Sequence, residues 1–580
     1  MSLMFSGIGV SRGIAIAPAY ILHRDRVDVA ATSLDKKGVT REVRRFRNAV
    51  NAARKQLLAV RDTIPDDAPE DISAFIETHL LMLDDGILSE RPLEIIRQEG
   101  CNAEWALKLQ RDSVIKVFES MDDPYLATRK DDVNHVIDRV MRILVNKDAD
   151  TAEFDHDWRG QIVIADDLSP ADTVIMQHQG VAGFITETGG QLSHTAILAR
   201  SLGIPAVVGA YGIRRFIRAN EPLVLDGTSG LVLGEADDGT VAHFRKGQRE
   251  LKRKQRELGK LSTAKPITAC GEKIALLANI EIEEDLKALK RTNADGVGLY
   301  RTEFLFMNRG DLPSEEEHIA AYKRVVRALK GAPLTIRTVD LGGDKETDIE
   351  PAHAASHNPA MGLRGVRRCL SDPRMFIPQL RAILRMSANA PINIMFPMLS
   401  NVAEVDQLLE LLESVKSELR QKNIKFDEKI KVGGMIEVPA AAVTAAAFAE
   451  KLDFLSIGTN DLIQYTLAID RVDNQVNYLY DPLNPGVLQL IRMTIEAGQK
   501  ANIPITMCGE MAGDTRYTQL LLALGLRHFS MPPNHVLEVK NVLRQTDIKA
   551  IRRKVLTIAS CTDAARQNAL LDNLNATLDT

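Results

Sequence analysis

Apolar residues change their period several times along the 580-residue chain, and each change predicts a different kind of element. Short apolar runs broken by Gly7, Gly9 and Gly13, with Pro18 inside the second run, predict one or two strands between residues 7 and about 22. From about residue 32 to 145 apolar positions recur at three- and four-residue steps, as in Ile72-Ser73-Ala74-Phe75-Ile76-Glu77-Thr78-His79-Leu80-Leu81-Met82. Glycine and proline are sparse there, so this stretch predicts long amphipathic helices. Between about 160 and 233 short runs return at 162–165, 183–186, 206–209 and 223–226, and these predict strands alternating with helices. Strands on both sides of a helical block predict that the block is inserted into a small α/β domain. A charged stretch from 243 to about 261 reads as a solvated helix or as a connecting arm.

The last part of the chain, from about residue 266, repeats one rhythm. Apolar runs begin near Ala275, Val297, Leu334, Ile392, Val432, Phe454, Ile505 and His528, separated by helical patterns. Eight such strands predict a (β/α)₈ barrel, an architecture that presents reactive residues just after its strands. The fold class is therefore multidomain α/β.

Composition narrows the setting more than the chemistry. Hydrophobic residues make up 45% and charged residues 26%, ordinary for a globular protein, and the length predicts several domains. A net charge of -5 gives no reason to expect nucleic acid as a partner. Five scattered cysteines, never paired as CxxC, argue for a reduced, cytoplasmic setting and against a disulfide framework. Neither a membrane-length apolar run nor a signal peptide is visible, so no membrane insertion is expected.

Candidate chemistry begins with Gly189-Gly190-Gln191-Leu192-Ser193-His194-Thr195-Ala196-Ile197-Leu198-Ala199-Arg200. Two glycines permit a sharp turn, and Ser193 suits the N-cap of the apolar stretch that follows. His194 is then expected in the first helical turn. Free N–H groups there would hold a phosphoryl group on its imidazole, with Arg200 as an extra cation. Alone, the run reads more readily as a capping turn with an ordinary exposed histidine; the rest of the chain reverses that preference. In the barrel, Arg301, Arg337, Arg364 and Arg471 fall at strand ends or adjoining loops and suit an anion carrying both phosphate and carboxylate. Glu437 and Asp461 suit Mg²⁺, although such a pair also serves as helix caps or salt-bridge partners. Lys345 could add a phosphate contact. Cys508 reads either as strand packing or as a proton donor to a carbanion.

Taken together these segments closely resemble the enzyme I family of the phosphoenolpyruvate:sugar phosphotransferase system, over essentially the whole chain. The resemblance rests on the histidine run and on three long motifs. These are Gly298-Leu299-Tyr300-Arg301-Thr302-Glu303-Phe304-Leu305-Phe306-Met307, Arg337-Thr338-Val339-Asp340-Leu341-Gly342-Gly343-Asp344-Lys345 and Ser456-Ile457-Gly458-Thr459-Asn460-Asp461-Leu462. It implies a swivelling α/β phosphohistidine domain (1–31 and 148–232) interrupted by a helical carrier-docking insertion (32–147). A helical linker (233–262) and a phosphoenolpyruvate-binding, dimerising barrel (263–580) would follow. It implies transfer from phosphoenolpyruvate, with Mg²⁺, to His194 and on to the carrier HPr, with release of pyruvate. By motif, Arg301, Arg337, Asn460 and Arg471 would hold the phosphate, Arg364 and Lys345 would support the substrate, and Glu437 with Asp461 would bind Mg²⁺. Cys508 would protonate the enolate, and Thr173 would hydrogen-bond the active histidine. His79, Asp84 and Asp85 fall where carrier contacts are expected; they also read as a solvated helix end.

Three departures stand out: Gln191-Leu192 replaces the more usual Arg-Thr, Ser530-Met531-Pro532-Pro533 replaces a serine-rich run, and Val472 follows Arg471. None removes an implied catalytic residue. The alternatives are a nitrogen-type regulatory relay, which normally carries an N-terminal sensory domain, a dikinase or synthase, which needs a nucleotide-binding domain, and a silent docking scaffold.

Overall fold

In a computed structural model of the chain, the described residues are all but 1–2, 23–28, 64–69, 120–123, 146–156, 191–194, 197, 200–202, 282–283, 307–310, 342–358, 471–475, 577 and 579–580. They fall into two units, Met1–Lys254 and Gln255–Thr580.

The stretch from 7 to about 22 forms two strands, β2 (Ile8–Ser11) and β3 (Ile14–Ile21), as expected, and a further strand, β1 (Leu3–Ser6), precedes them. With β4 (Ile162–Ala165), β5 (Gly183–Thr186), β6 (Ala206–Val208), β7 (Pro222–Asp226) and β8 (Leu231–Gly234) they build one sheet, ordered β1-β8-β7-β3-β4-β5-β6-β2. Pro18 marks a change of partner within β3. Residues 14–18 pair antiparallel with β7, and the parallel pairing with β4 begins at Ala19. A residue without an N–H is tolerated where one ladder hands over to the next. Buried side chains pack on both faces of the sheet, Val163, Phe184 and Val208 in one cluster and Ile162, Ile164 and Ile185 in another.

Between β3 and β4 the chain forms helices Lys36–Thr63, Glu70–Asp84, Gly86–Ser89, Arg91–Glu99, Ala103–Glu119 and Pro124–Val145. Their apolar stripes share a separate core that includes Phe46, Leu57, Ile76, Ile96, Leu107 and Ile137. The charged helix runs Asp238–Lys260.

The second unit contains a closed, all-parallel barrel of eight strands. They are β9 (Ala275–Ile280), β10 (Val297–Tyr300), β11 (Leu334–Arg337), β12 (Ile392–Phe396), β13 (Lys431–Ile436), β14 (Phe454–Ile457), β15 (Ile505–Met507) and β16 (His528–Met531), which pairs back onto β9. Helices cover the outside, so the strands are buried on both faces and read as continuous apolar runs. All five cysteines are free. Among the described residues no helix is long and apolar enough to cross a membrane.

Candidate active site at the barrel mouth

Six candidate barrel side chains sit at or just beyond a strand's C-terminal end: Arg337 ends β11, Arg301 follows β10, Glu437 follows β13, Asn460 and Asp461 follow β14, and Cys508 follows β15. Together with Arg364 they line one cavity of about 270 Å³. Lys345 and Arg471 lie outside the described residues.

The arginines arrive already paired. Arg337 Nη2 donates to Glu303 Oε1 at 2.8 Å and lies 3.5 Å from Asp340 through Nη1, with all three side chains buried. Arg364 forks onto Asp340 at 3.2 and 2.9 Å, reaches Asp461 Oδ2 at 3.4 Å, and donates to the Tyr465 hydroxyl at 3.1 Å. Arg301, more exposed, meets Glu281 at 3.1 Å. The carboxylates outweigh burial and hold the Arg337 and Arg364 guanidinium groups above their ordinary range. Sequence reasoning passed over Glu281, Glu303, Asp340 and Tyr465. Glu303 and Asp340 were in plain view, inside the motifs that carry Arg301 and Arg337, close after barrel strands.

Glu437 is a strongly perturbed carboxyl of the cavity. Burial first, then Asp461 and Asp340, push it up to about 8, against the pull of Arg337 and Arg364. Its Oε1 accepts from the Met398 N–H at 2.6 Å. Its Oε2 occupies the space a side chain would take on Gly458, where an added Cβ would lie 2.7 Å away. Only glycine leaves this carboxylate room. Glu437 and Asp461 therefore offer hard oxygen ligands that repel each other, a donor set that suits a small divalent cation.

Cys508 is 3% exposed and packs with Leu299, Met395, Met435 and Phe454 inside the barrel. Ser456 Oγ donates to its sulfur at 3.2 Å, and the thiol faces Ile457 O at 3.7 Å. Burial pushes the thiol up to about 11, so sulfur keeps its proton at neutral pH. Asn279 Nδ2 donates to Cys508 O at 2.9 Å and fixes the loop backbone. Asn460 and Glu510 are tied reciprocally, side chain to side chain and side chain to N–H, both at 2.9 Å.

In the first unit, His194 lies outside the described residues, with Gln191, Leu192, Ser193 and Arg200. Its neighbours Thr195, Ala196, Leu198 and Ala199 are helical and buried. Thr195 Oγ1 donates to Leu168 O at 2.9 Å and lies 3.3 Å from Asp167 Oδ1. Thr173, fully buried, donates to Ser169 O at 3.2 Å in a helix, Pro170–Gln179, whose N-terminus carries a Ser169–Asp172 capping box. Of the expected carrier contacts, His79 is 2% exposed and faces Asp132, so it is not offered to a surface partner. Asp84 is exposed and pairs with Arg54 at 3.0 Å, and Asp85 caps helix Gly86–Ser89.

The chain matches three family models described as PEP-utilising enzyme: the N-terminal domain over residues 6–129, the mobile domain over 158–230 and the PEP-binding domain over 255–548. It is 42% identical to the phosphoenolpyruvate-protein phosphotransferase of Cupriavidus necator, over 99% of this chain and 100% of that one. It is 38% identical to the protein of the same name from Staphylococcus carnosus, over 97% of both. A solution structure of Enzyme I (nEIt) aligns with 43% of this chain and 99% of its own, at 29% identity and a TM-score of 0.37. With a barrel mouth of this composition and relatives matched end to end, the chain belongs to the PEP-utilising enzymes, in the family of the phosphoenolpyruvate-protein phosphotransferases.

Proposed function

We propose that this chain takes the phosphoryl group of phosphoenolpyruvate onto His194 and passes it to a histidine of an HPr-type carrier, releasing pyruvate. The observation that carries the reading is the single cavity in which Arg301, Arg337 and Arg364 meet Glu437, Asp461 and Cys508. Guanidinium forks suit phosphate and carboxylate alike. Arg301 and Arg337, with Asn460 and Arg471, would hold the phosphate; Arg364 and Lys345 would steady the rest of the substrate. Glu437 and Asp461 would hold Mg²⁺, which supplies stabilisation of the charge that develops on the enolate oxygen.

A ring nitrogen of His194 attacks phosphorus, and the bond from phosphorus to the enol oxygen breaks, leaving its electron pair on that oxygen. The enolate takes the Cys508 Sγ proton at its methylene carbon to become pyruvate, and solvent returns a proton to the thiolate. Thr173 would hold the His194 ring in one tautomer, freeing the other nitrogen for attack. The phosphohistidine then yields its phosphoryl group to the carrier's imidazole. Asp84 and Asp85 would draw a basic carrier in, a contribution to encounter rate more than to affinity. Motion of the His194-bearing domain about residues 233–262, and a homodimer through the barrel, complete the reading.

Intact-mass spectrometry after incubation with phosphoenolpyruvate and Mg²⁺ tests it. One acid-labile phosphoryl adduct, absent from His194→Ala and discharged by HPr, is expected. An adduct that HPr leaves in place points to a nitrogen-type relay, and no adduct refutes the transfer.

A further inference from the structure

Three side chains in the core of the helical insertion take no part in the chemistry above, yet converge as ligands do. His79 lies on helix Glu70–Asp84, and Asp132 and His135 lie on helix Pro124–Val145, three residues apart and so on one face. One ligand atom from each lies within 4.8 Å of the others. The side chains of His79 and Asp132 are each 3% exposed, and that of His135 is 16% exposed.

The distances suit a shared ion better than a direct bond. His79 Nε2 and Asp132 Oδ1 are 3.5 Å apart. Charge-assisted hydrogen bonds close to about 2.7–2.9 Å. Two ligands of a tetrahedral ion, each about 2.0–2.1 Å from it, sit roughly 3.3 Å apart. The His135 ring divides its nitrogens between two tasks. Nε2 faces Asp167 Oδ2 at 3.3 Å, whereas Nδ1 is buried with no hydrogen-bond partner. A carboxylate behind one imidazole nitrogen, with the other left for the ion, is the usual outer support of a metal-bound histidine.

Charge points the same way. Asp132, Asp167 and Asp172 all act on His135, while Arg139 is a cation acting on His79.

We propose that His79 Nε2, Asp132 Oδ1 and His135 Nδ1 form a zinc-type divalent metal site, with Asp167 supporting His135 from behind. Two imidazoles select a borderline transition ion over Mg²⁺ or Ca²⁺, which take oxygen ligands. Asp167 also accepts from the Leu168 N–H at 2.8 Å and lies 3.3 Å from Thr195 Oγ1. The site therefore ties two helices of the insertion to the residue that follows His194.

The test is a titration of the metal-stripped full-length protein with Co²⁺ in excess Mg²⁺, read by its visible absorption bands. One Co²⁺ per chain, displaced by one equivalent of Zn²⁺ and unaffected in Asp461→Asn, is expected. Asp167→Asn should weaken binding by roughly 10–100-fold, and His135→Ala by more. Should His135→Ala fail to fold, the half-exposed Asp167→Asn decides. No bands in the wild type, or bands lost in Asp461→Asn and kept in Asp167→Asn and His135→Ala, would overturn the site.

Discussion

Mg²⁺ uptake in the barrel should release close to one proton per ion at neutral pH, because Glu437 begins protonated. Burial and the neighbouring Asp461 and Asp340 raise its carboxyl to about 8. Such a group is about 90% protonated at pH 7, about half at pH 8 and about 10% at pH 9. A metal-binding carboxylate has to be ionised, so uptake should displace roughly 0.9, 0.5 and 0.1 proton per ion at those three values. Apparent affinity should accordingly rise about tenfold, or ~1.4 kcal/mol, from pH 6 to 7 and level off above pH 8.

Calorimetric titration in two buffers of contrasting ionisation enthalpy counts the protons directly. Asp340→Asn supplies the control. It removes one carboxylate that raises Glu437 and leaves Arg337 and Arg364 freer to lower it, so the count at pH 7 should fall. Stability follows the same linkage. A carboxyl raised from 4.5 to about 8 contributes stability that is fully present below its unfolded pKa and lost as pH rises through the folded one. The metal-free melting temperature should therefore decline across that window, and Mg²⁺ should offset the decline. A wild-type count under about 0.2 proton at pH 7 would refute the reasoning, because Glu437 would then be ionised before the metal arrives.

Three further outcomes follow from the cavity walls. Gly458→Ala places a Cβ 2.7 Å from Glu437 Oε2 and 3.0 Å from its Cβ. If the roughly 1–3 kcal/mol of overpacking falls on the carboxylate, Mg²⁺ dependence should weaken by about 5–150-fold; an unchanged Mg²⁺ titration would sink this. Cys508→Ala should slow pyruvate formation by about 10²–10⁴-fold while phosphoenolpyruvate binding stays near wild type, a split read by steady-state kinetics against equilibrium binding. Arg337→Met leaves Glu303 and Asp340 buried beside an apolar side chain, and should cost about 3–5 kcal/mol in denaturant or thermal unfolding; a loss below ~1 kcal/mol would mean those carboxylates find other partners.

The barrel was legible because fully buried parallel strands are continuous apolar runs, and seven of its eight strand starts fall on the residue expected, Val432 giving way to Lys431. Strand β1 was missed because it alternates between half-buried and exposed positions, and β8 because it follows β7 after a short turn. His79 looked like a surface residue through its proximity to Asp84 and Asp85. A better signal was present: Ile76, His79, Leu80 and Leu83 fall on one helical stripe, and all four are buried. The placement of Arg301 and Arg337 at strand ends was legible. The carboxylate partners of the site arginines were not, because pairings such as Arg364 with Asp461, distant along the chain, exist only once the barrel closes.

That pairing changes what the arginines do. Read from sequence they form a cationic funnel, yet the described cavity wall holds Arg301, Arg337 and Arg364 against Glu281, Asp340, Glu437, Asp461 and Glu510. Even with Glu437 holding its proton, carboxylates outnumber guanidinium groups there. Among the described residues, a highly charged phosphate ester would meet no net positive charge, so attraction has to come from a divalent cation and from Arg471 and Lys345. The carboxylates then have two tasks. They hold the guanidinium forks in fixed orientations, which lowers the entropy cost of bidentate binding, and they make substrate affinity depend more strongly on the metal. Substrate and Mg²⁺ should therefore bind with strong positive coupling, each raising the other's affinity by the same factor. Without that coupling, the acidic wall would have no part in substrate selection.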